Sequence, residues 1–231
     1  MDQQDLIRQF SYEEMVFLLL RGRKPTAPEA TLLRAVILSH ASHGITGQST
    51  LAVRMAADCR SNFLHALIAG FSVGAGDYDQ GALRAAMEQL QQLAEQPPAE
   101  LTDCVRARLG RGEKFIGFGH RFLFHERDPR AVTLVQLANE VGFAGRHLEL
   151  VRRIEEVLAA EKGVYMNIDG AGGAILLDLE LNPAIAHLII VVGRAPMYAA
   201  AYLERLAEGH PPFPRIEVAD LVPENGQHGP K

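Results

Sequence analysis

The sequence lacks several features that would assign it to a function class. It has two cysteines in 231 residues, Cys59 and Cys104, which are too few for a disulfide framework and lack metal-ligand spacing. We therefore expect a protein of the reducing cytoplasm. Its 23 Lys and Arg residues are outnumbered by 28 Asp and Glu residues, which gives a formal net charge of -5. Because nucleic-acid binding needs a basic face, we expect no nucleic-acid partner.

Long apolar segments and cofactor motifs are also missing. The longest apolar run, Ala184 to Val192, is interrupted by His187 and is shorter than the roughly 20 residues that span a bilayer. The chain does not open with a signal-peptide pattern, and we expect no membrane partner. It has no Walker loop and no dinucleotide fingerprint. The nearest approach to a metal pair is His40 with His43, which is a weak pattern, so we expect no metal site.

The apolar residues that are present recur at helical spacing along most of the chain. Ser11 with Glu14 forms a capping-box pattern, which predicts that a helix begins there and ends at Gly22. Small and apolar residues predict one mostly buried helix over 51–70. Residues 164–169 are the only segment expected to be extended. The predicted fold class is therefore mainly α.

One segment stands out as a candidate ligand site, residues 114–121, which read Lys-Phe-Ile-Gly-Phe-Gly-His-Arg. Its two glycines permit a tight turn that would present His120 and Arg121 at its edge. A second turn, Asp128-Pro129-Arg130, adds another arginine. One titratable ring and two fixed cations suit a polycarboxylate or a phosphate-bearing cofactor, although a structural turn with solvated arginines has the same pattern.

Two glycine- and histidine-bearing loops are further candidates. His43 lies in a polar turn between apolar segments, where it could bind a carboxylate, move a proton or cap a helix. The loop from Gly76 to Gly81 could offer main-chain N–H groups to an anion. Its acidic residues Asp77 and Asp79 argue against simple phosphate binding, and a plain loop is the alternative.

Two charged residues close the set. Asp169 ends a short apolar run, where it could act as a base in a confined pocket or as a helix N-cap. Arg194 directly follows an apolar segment, and a buried arginine needs an anionic partner.

Taken together, these clusters resemble those of the citrate synthase superfamily. The segment 117–121, Gly-Phe-Gly-His-Arg, with Asp128-Pro129-Arg130 is similar to the family's Gly-x-Gly-His…Asp-Pro-Arg. Asn167-Ile168-Asp169 resembles its Asn-Val-Asp segment, and Gly193-Arg194 resembles the late arginine that binds a substrate carboxylate. The similarity runs from about Ser11 to Pro223, and it is to the C-terminal half to two thirds of a full citrate synthase.

Within that superfamily the sequence most resembles the citryl-CoA lyase module of ATP-citrate lyase. Ser42-His43-Gly44 stands where that module has Asp-His-Gly. Citrate synthases carry a histidine in a Leu-His-Gly-Gly-Ala loop, whereas the aligned loop here, residues 78–82, has Asp79 at the position of that histidine. Lyase modules also lack the histidine, so its absence favours a lyase over a synthase.

The resemblance implies a reversible Claisen-type cleavage of (3S)-citryl-CoA to acetyl-CoA and oxaloacetate. The coenzyme A thioester is then a substrate, and no cofactor is permanently bound. His120 would hydrogen-bond the oxygen that alternates between hydroxyl and carbonyl, His43 would bind a carboxylate or relay the hydroxyl proton, and Asp169 would exchange a proton at the acetyl carbon. The expected substrate-binding residues are Arg121, Arg130 and Arg194, and the expected CoA-binding residues are Gly76, Gly81 and Gly119.

The resemblance also implies a two-lobed helical protomer. Residues 1–83 and 166–231 would form the large lobe, and residues 84–165 the small lobe on the CoA side. The family is dimeric, and the small residues of 51–70 suit the interface of a homodimer or higher homo-oligomer. Two alternatives stay open. One is a citrate or 2-methylcitrate synthase, which joins an acyl-CoA to a 2-oxo acid, and the other is a non-catalytic CoA-binding member or partner subunit.

Overall fold

The computed structural model describes residues 2–42, 44–76, 79–120 and 125–209. Within these ranges the chain is helical and contains no strand, apart from an isolated antiparallel bridge between Phe118 and Met166, which confirms the predicted mainly α class. The helices are α1 (Gln3–Gln9), α2 (Tyr12–Arg21), α3 (Ala27–Ser39), α4 (Gln48–Asp58), α5 (Phe63–Gly74), α6 (Gly81–Ala94), α7 (Leu101–Gly110), α8 (Pro129–Glu140), α9 (Arg146–Lys162), α10 (Ile168–Asp178) and α11 (Ala186–Ala207), with a 3-10 turn at Pro183–Ile185.

Two compact units make up the chain, and the first contains Met1–His43 and Gly74–Met197. Its centre is α10, which packs against α3, α6, α8 and α9. Apart from Asp169 and Asp178, every residue of α10 is buried, because small residues in its sequence Ile-Asp-Gly-Ala-Gly-Gly-Ala allow close approach on several sides. The helix that carries Asp169 is therefore held between four neighbouring helices of this unit.

The second unit contains Gly44–Val73 and Tyr198–Lys231, of which residues 44–73 and 198–209 are described. The Tyr202 hydroxyl donates to the Ser61 carbonyl at 2.6 Å, and the Arg205 guanidinium contacts the Asp58 carboxylate at 2.7 Å. These contacts join the start of this unit to its end. The expected large lobe, 1–83 and 166–231, and the expected small lobe, 84–165, stay a prediction.

The single helix expected over 51–70 is wrong, since the chain forms α4 and α5 there with a turn between them. Arg60 lies in the left-handed region at φ +57°, which ends the first helix. The Asn62 side chain then accepts a hydrogen bond from the His65 N–H at 3.0 Å, as an N-cap does for a new helix. An asparagine that favours caps thus divided an otherwise helical pattern.

Near the C-terminus, one helix is found where the sequence predicts two. The sequence predicts one helix over Ala184 to Val192 and another over Met197 to Glu208, yet the single helix α11 runs through the segment between them, which contains Gly193 and Pro196. A side chain at Gly193 would clash with the Ile37 carbonyl, so this glycine serves close packing of α11 on α3. Pro196 lies on the exposed face of the helix.

The length of α11 also changes what its sequence implies about membranes. With the preceding turn it covers Pro183–Ala207, which is long and apolar enough to cross a bilayer by length and composition alone. The shorter run Ala184–Val192, taken alone, had predicted a segment too short to span a bilayer. In this fold Ile189 and Ile190 are buried in the core, and the same helix carries the buried Arg194.

Candidate functional site

The loop that carries His120 is held against the start of α10. The Gly119 N–H donates to the Tyr165 carbonyl at 2.7 Å, and the Asn167 side-chain amide donates to the Gly119 carbonyl at 2.8 Å. Asn167 is two residues before Asp169, and Gly119 is adjacent to His120. The two segments that carry these predicted catalytic residues are therefore joined by one main-chain and one side-chain hydrogen bond.

Two glycines make this junction possible. Gly117 has a φ of +89°, and a Cβ placed on it would lie 2.7 Å from the Gly170 Cα. A Cβ on Gly170 would in turn collide with the Gly117 carbonyl oxygen. Because main chain touches main chain here, neither position tolerates a side chain without a shift of the loop or the helix.

The Asp169 carboxylate is not used to cap its own helix. Asn167 is the N-cap of α10, and its Oδ1 accepts hydrogen bonds from the N–H groups of Asp169 at 2.9 Å and Gly170 at 3.2 Å. The capping interpretation of Asp169 is therefore wrong. Its side chain is one-fifth exposed, and its Oδ1 lies 3.6 Å from Nε2 of His40.

Arg130 is oriented by a buried carboxylate. Asp128 is 1% exposed and pairs with Arg130 through Oδ1 to Nε at 3.0 Å and Oδ2 to Nη2 at 2.8 Å. Burial raises the pKa of Asp128, but the hydrogen bonds and charge of Arg130, with the N–H groups of Arg130 and Ile168, lower that pKa below its usual value. The Arg130 guanidinium is thus held in one orientation, and its exposed portion can bind a second carboxylate.

Arg194 is buried, as its position after an apolar run predicted, and it has an anionic partner. Its Nη1 lies 3.2 Å from the Asp79 Oδ1, and its Nε donates to the His40 carbonyl at 3.4 Å. The Arg194 side chain is 5% exposed and that of Asp79 is 15% exposed. A polar chain therefore runs from Asp79 through Arg194 and His40 to Asp169 on α10.

The main-chain N–H groups predicted to bind the thioester are engaged within the chain. The Gly81 N–H donates to the Gly76 carbonyl at 3.2 Å, and the Gly119 N–H donates to Tyr165. Any oxyanion role for Gly81 and Gly119 would require these bonds to open. Gly76 itself is exposed at the end of its loop.

The structure thus brings the elements of Asp169, Arg130 and Arg194 together around the start of α10, with His120 beside them. His43 and Arg121 lie outside the described residues, so their roles stay predictions.

Two residues that sequence reasoning did not assign to the site, His40 and Asp128, contact its elements directly. The signal for Asp128 was its place in the Asp-Pro-Arg turn. The signal for His40 was its spacing from His43.

An open cavity of about 360 Å³ lies beside the histidine loop. Gly117, Phe118 and Asn167 contribute to its wall, which also carries two lysines, Lys114 and Lys162, and one carboxylate, Glu113. Phe115 and Leu158 make part of it apolar. The mixture of apolar lining and two exposed cations suits an elongated ligand that carries phosphate groups.

Comparison with known proteins gives the family. The family described as citrate synthase, C-terminal domain, matches residues 1–215. The chain belongs to the citrate synthase family. This confirms the resemblance that the sequence motifs indicated.

Several relatives define the similarity further. Citrate synthase 2 of Bacillus subtilis is 27% identical over 199 residues, which are 85% of this chain and 52% of that protein. The citrate/2-methylcitrate synthase of the same organism is 28% identical over 214 residues, which are 91% of this chain and 56% of that protein. The chain therefore spans about half the length of the curated relatives it matches.

A solved relative is closer to this chain in length. The structure of citryl-CoA lyase from Hydrogenobacter thermophilus matches with a TM-score of 0.86 and 26% identity, covering 99% of this chain and 89% of that one. The multi-helical citrate synthase-like fold is thus shared across nearly all of both chains.

Proposed function

We propose that this protein is a citryl-CoA lyase, which cleaves (3S)-citryl-CoA to acetyl-CoA and oxaloacetate. The observation that carries the proposal is the match to a citryl-CoA lyase over 89% of that protein's length. Asp79 also favours a lyase over a synthase, because it stands where the resemblance places the synthase histidine and it pairs with Arg194. An aspartate held by an arginine is unsuited to donate a hydrogen bond to a thioester oxygen.

The proposed reaction needs one proton removed and one added. The hydroxyl proton of citryl-CoA leaves to His43 as relay while His120 hydrogen-bonds that oxygen, which becomes the keto oxygen of oxaloacetate. The carbon–carbon bond breaks, and its electron pair forms the enolate of acetyl-CoA. Asp169 then gives a proton to the enolate carbon, which yields acetyl-CoA.

Arg130 and Arg194 are the proposed partners of the substrate carboxylates. Both guanidinium groups are already oriented by an aspartate, Arg130 by Asp128 and Arg194 by Asp79. A planar guanidinium whose direction is fixed loses little freedom when it binds a second carboxylate.

We place the coenzyme A portion in the cavity beside Gly117 and Phe118. Lys114 and Lys162 there would neutralise phosphate groups, and the apolar wall would contact the pantetheine arm. The same cavity reaches Asn167, so a ligand in it would approach the residues that precede Asp169.

A citrate or 2-methylcitrate synthase is the second candidate, favoured by the 28% identity to an enzyme of that name. The two candidates differ in whether the thioester is hydrolysed. Purified protein supplied with (3S)-citryl-CoA should release oxaloacetate, measured by its reduction to malate with added malate dehydrogenase and NADH. Protein supplied with acetyl-CoA or propionyl-CoA and oxaloacetate should release no free thiol.

Release of free thiol in the second assay would show synthase activity and overturn the proposed lyase function. Inertness in both assays, with CoA binding retained in calorimetry, would favour a non-catalytic member of the family.

We also propose a homodimer built on the second unit. Its described residues carry eight of the fourteen exposed large hydrophobic side chains, including Leu64 at 60%, Ile68 at 54% and Leu203 at 63% exposed. An apolar face of this kind favours burial against a second copy. Light scattering should give twice the chain mass, and Ile68→Glu should give the monomer mass, whereas Leu19→Glu in the first unit should not.

A further inference from the structure

The His40 ring is fixed at the end of α3. The side chain is 4% exposed, and its Nδ1 lies 2.9 Å from the Val36 carbonyl oxygen. Because a carbonyl oxygen can only accept, Nδ1 carries the hydrogen of this bond. The Ser39 hydroxyl donates to the same carbonyl at 2.7 Å. One edge of the imidazole is therefore anchored to its own helix, which sets the direction of the other edge.

The other edge of the ring faces Asp169. Nε2 of His40 is fully buried and has no hydrogen-bond partner among the residues that the structure describes, and Asp169 Oδ1 lies 3.6 Å away. A buried polar nitrogen without a partner is uncommon in a folded protein. An approach by a few tenths of an ångström would turn this contact into a hydrogen bond.

The His40 ring packs against Gly172 of α10. A Cβ at Gly172 would lie 3.4 Å from Cε1 of His40 and from Cγ1 of Val36. Gly172 comes three residues after Asp169, so both lie on the same face of α10. The ring thus packs on the face of the helix that carries the carboxylate, at van der Waals distance from the position that a Cβ on Gly172 would take.

The nearby cation does not compete for this edge of the ring. The Arg194 Nε donates to the main-chain carbonyl of His40, and its Nη1 contacts Asp79. Arg194 thus holds the backbone of His40 and leaves Nε2 directed at Asp169. Within the described part of the chain, the Asp169 carboxylate is therefore the ionic partner that lies near this buried nitrogen.

We propose that His40 is a positioning residue for Asp169, and this rests on the function proposed above. With Nδ1–H already donated to Val36, the Nε2–H of the doubly protonated ring donates to Oδ1 of Asp169 and holds the carboxyl group in a single orientation. The second oxygen, Oδ2, then faces the acetyl carbon and carries the proton that is exchanged there. His40 touches no substrate and acts through Asp169, which distinguishes it from His43 and His120.

Two variants separate this role from a structural one. His40→Asn keeps an amide near the Nδ1 position, so it can still donate to Val36 but presents nothing to Asp169. His40→Gln instead places an amide near the Nε2 position. We expect His40→Asn to lower kcat about 10- to 100-fold with KM for citryl-CoA changed less than about twofold, because misorientation of a reacting group costs on that order.

His40→Gln should recover kcat to within about threefold of the unmodified chain, since it restores a polar contact to Asp169. Equal loss in both variants, an unchanged kcat in His40→Asn, or a loss confined to KM would each overturn the proposal. Thermal midpoints of both variants, compared with the unmodified chain, show whether the fold is kept.

An NMR measurement tests the contact between His40 and Asp169 independently of catalytic turnover. In full-length protein labelled with 15N-histidine, the resonance absent from His40→Gln identifies His40. Asp169→Asn should shift its Nε2 resonance and leave the resonances of His125 and His147 in place. An unmoved Nε2 resonance overturns the proposal even in an active enzyme. A shifted resonance in an inactive protein leaves the contact established and rejects only the lyase function.

Discussion

Asp128 Oδ2 accepts a hydrogen bond from the Ile168 N–H at 3.2 Å, across 40 residues of sequence. Ile168 immediately precedes Asp169, and the same carboxylate group binds the Arg130 guanidinium. One buried group therefore sets the position of a predicted carboxylate-binding arginine relative to the predicted proton donor. Arg130 and Asp169 therefore need no direct contact with each other to keep their relative position.

Asp128→Asn should lower the free energy of unfolding at pH 7 by about 2 kcal/mol, because Arg130 loses its paired charge. The folded pKa of Asp128 is below its usual value of 3.8, so its stabilisation is complete above about pH 4 and is lost as the pH falls through the folded pKa. Urea unfolding of both proteins from pH 7 down to pH 2.5 measures this.

The difference between the two proteins should shrink toward the acid end. The matched control is Asp103→Asn, an exposed aspartate in the first turn of α7, which should change stability by less than about 0.5 kcal/mol. A difference that stays constant down to pH 2.5 would contradict the assignment to the Asp128 charge.

Gly170→Ala should destabilise the protein by about 1–3 kcal/mol, because its Cβ meets the Gly117 carbonyl. Gly110→Ala is the control, since a Cβ at this last residue of α7 has nothing within 4 Å. It should be neutral or slightly stabilising. Thermal unfolding of the two variants at one pH makes the comparison, and equal midpoints would argue against a main-chain contact.

Asp169→Asn should lower the release of oxaloacetate from citryl-CoA by about 10²- to 10⁴-fold, since an amide cannot supply the proton. The fold should persist, because Asn167 caps α10 without help from Asp169. Initial rates and circular dichroism test the two statements separately. Undiminished cleavage would exclude Asp169 from the chemistry.

Lys114→Ala and Lys162→Ala should each raise KM for the CoA thioester about 3- to 10-fold at low salt, since each removes a charge beside the proposed phosphate position. The effect should be smaller at 0.5 M salt. Lys24→Ala is the control, because Lys24 lies 3.6 Å from Glu14 and away from this cavity. Unchanged KM in both cavity variants would move the CoA site elsewhere.

Local signals in the sequence predicted local structure well. Ser11 and Glu14 form the reciprocal capping box, and Gly22 ends α2 in the left-handed region at φ +72°, as their positions indicated. The error near the C-terminus arose where long-range packing overrode a local preference. Gly193 was interpreted as a helix breaker because its contact with Ile37 lies more than 150 residues away in sequence.

The site was predictable residue by residue but not as a network. Asp169, Arg130 and Arg194 were recognised from motifs, and the structure places their elements around the start of α10. Their connections through His40, Asp79 and Asp128 join segments remote in sequence. No spacing rule relates positions 40, 79 and 169, so only the packed chain shows that a histidine lies against the carboxylate.

The contact between Gly117 and Gly170 has a consequence for how this scaffold can diversify. Where two backbones touch, no rotamer change can absorb a shift, so the frame around His120 and Asp169 is rigid by construction. New substrate preferences must therefore enter through replaceable side chains at the periphery. Engineering for a different acyl group should leave the paired glycines alone and vary that outer ring.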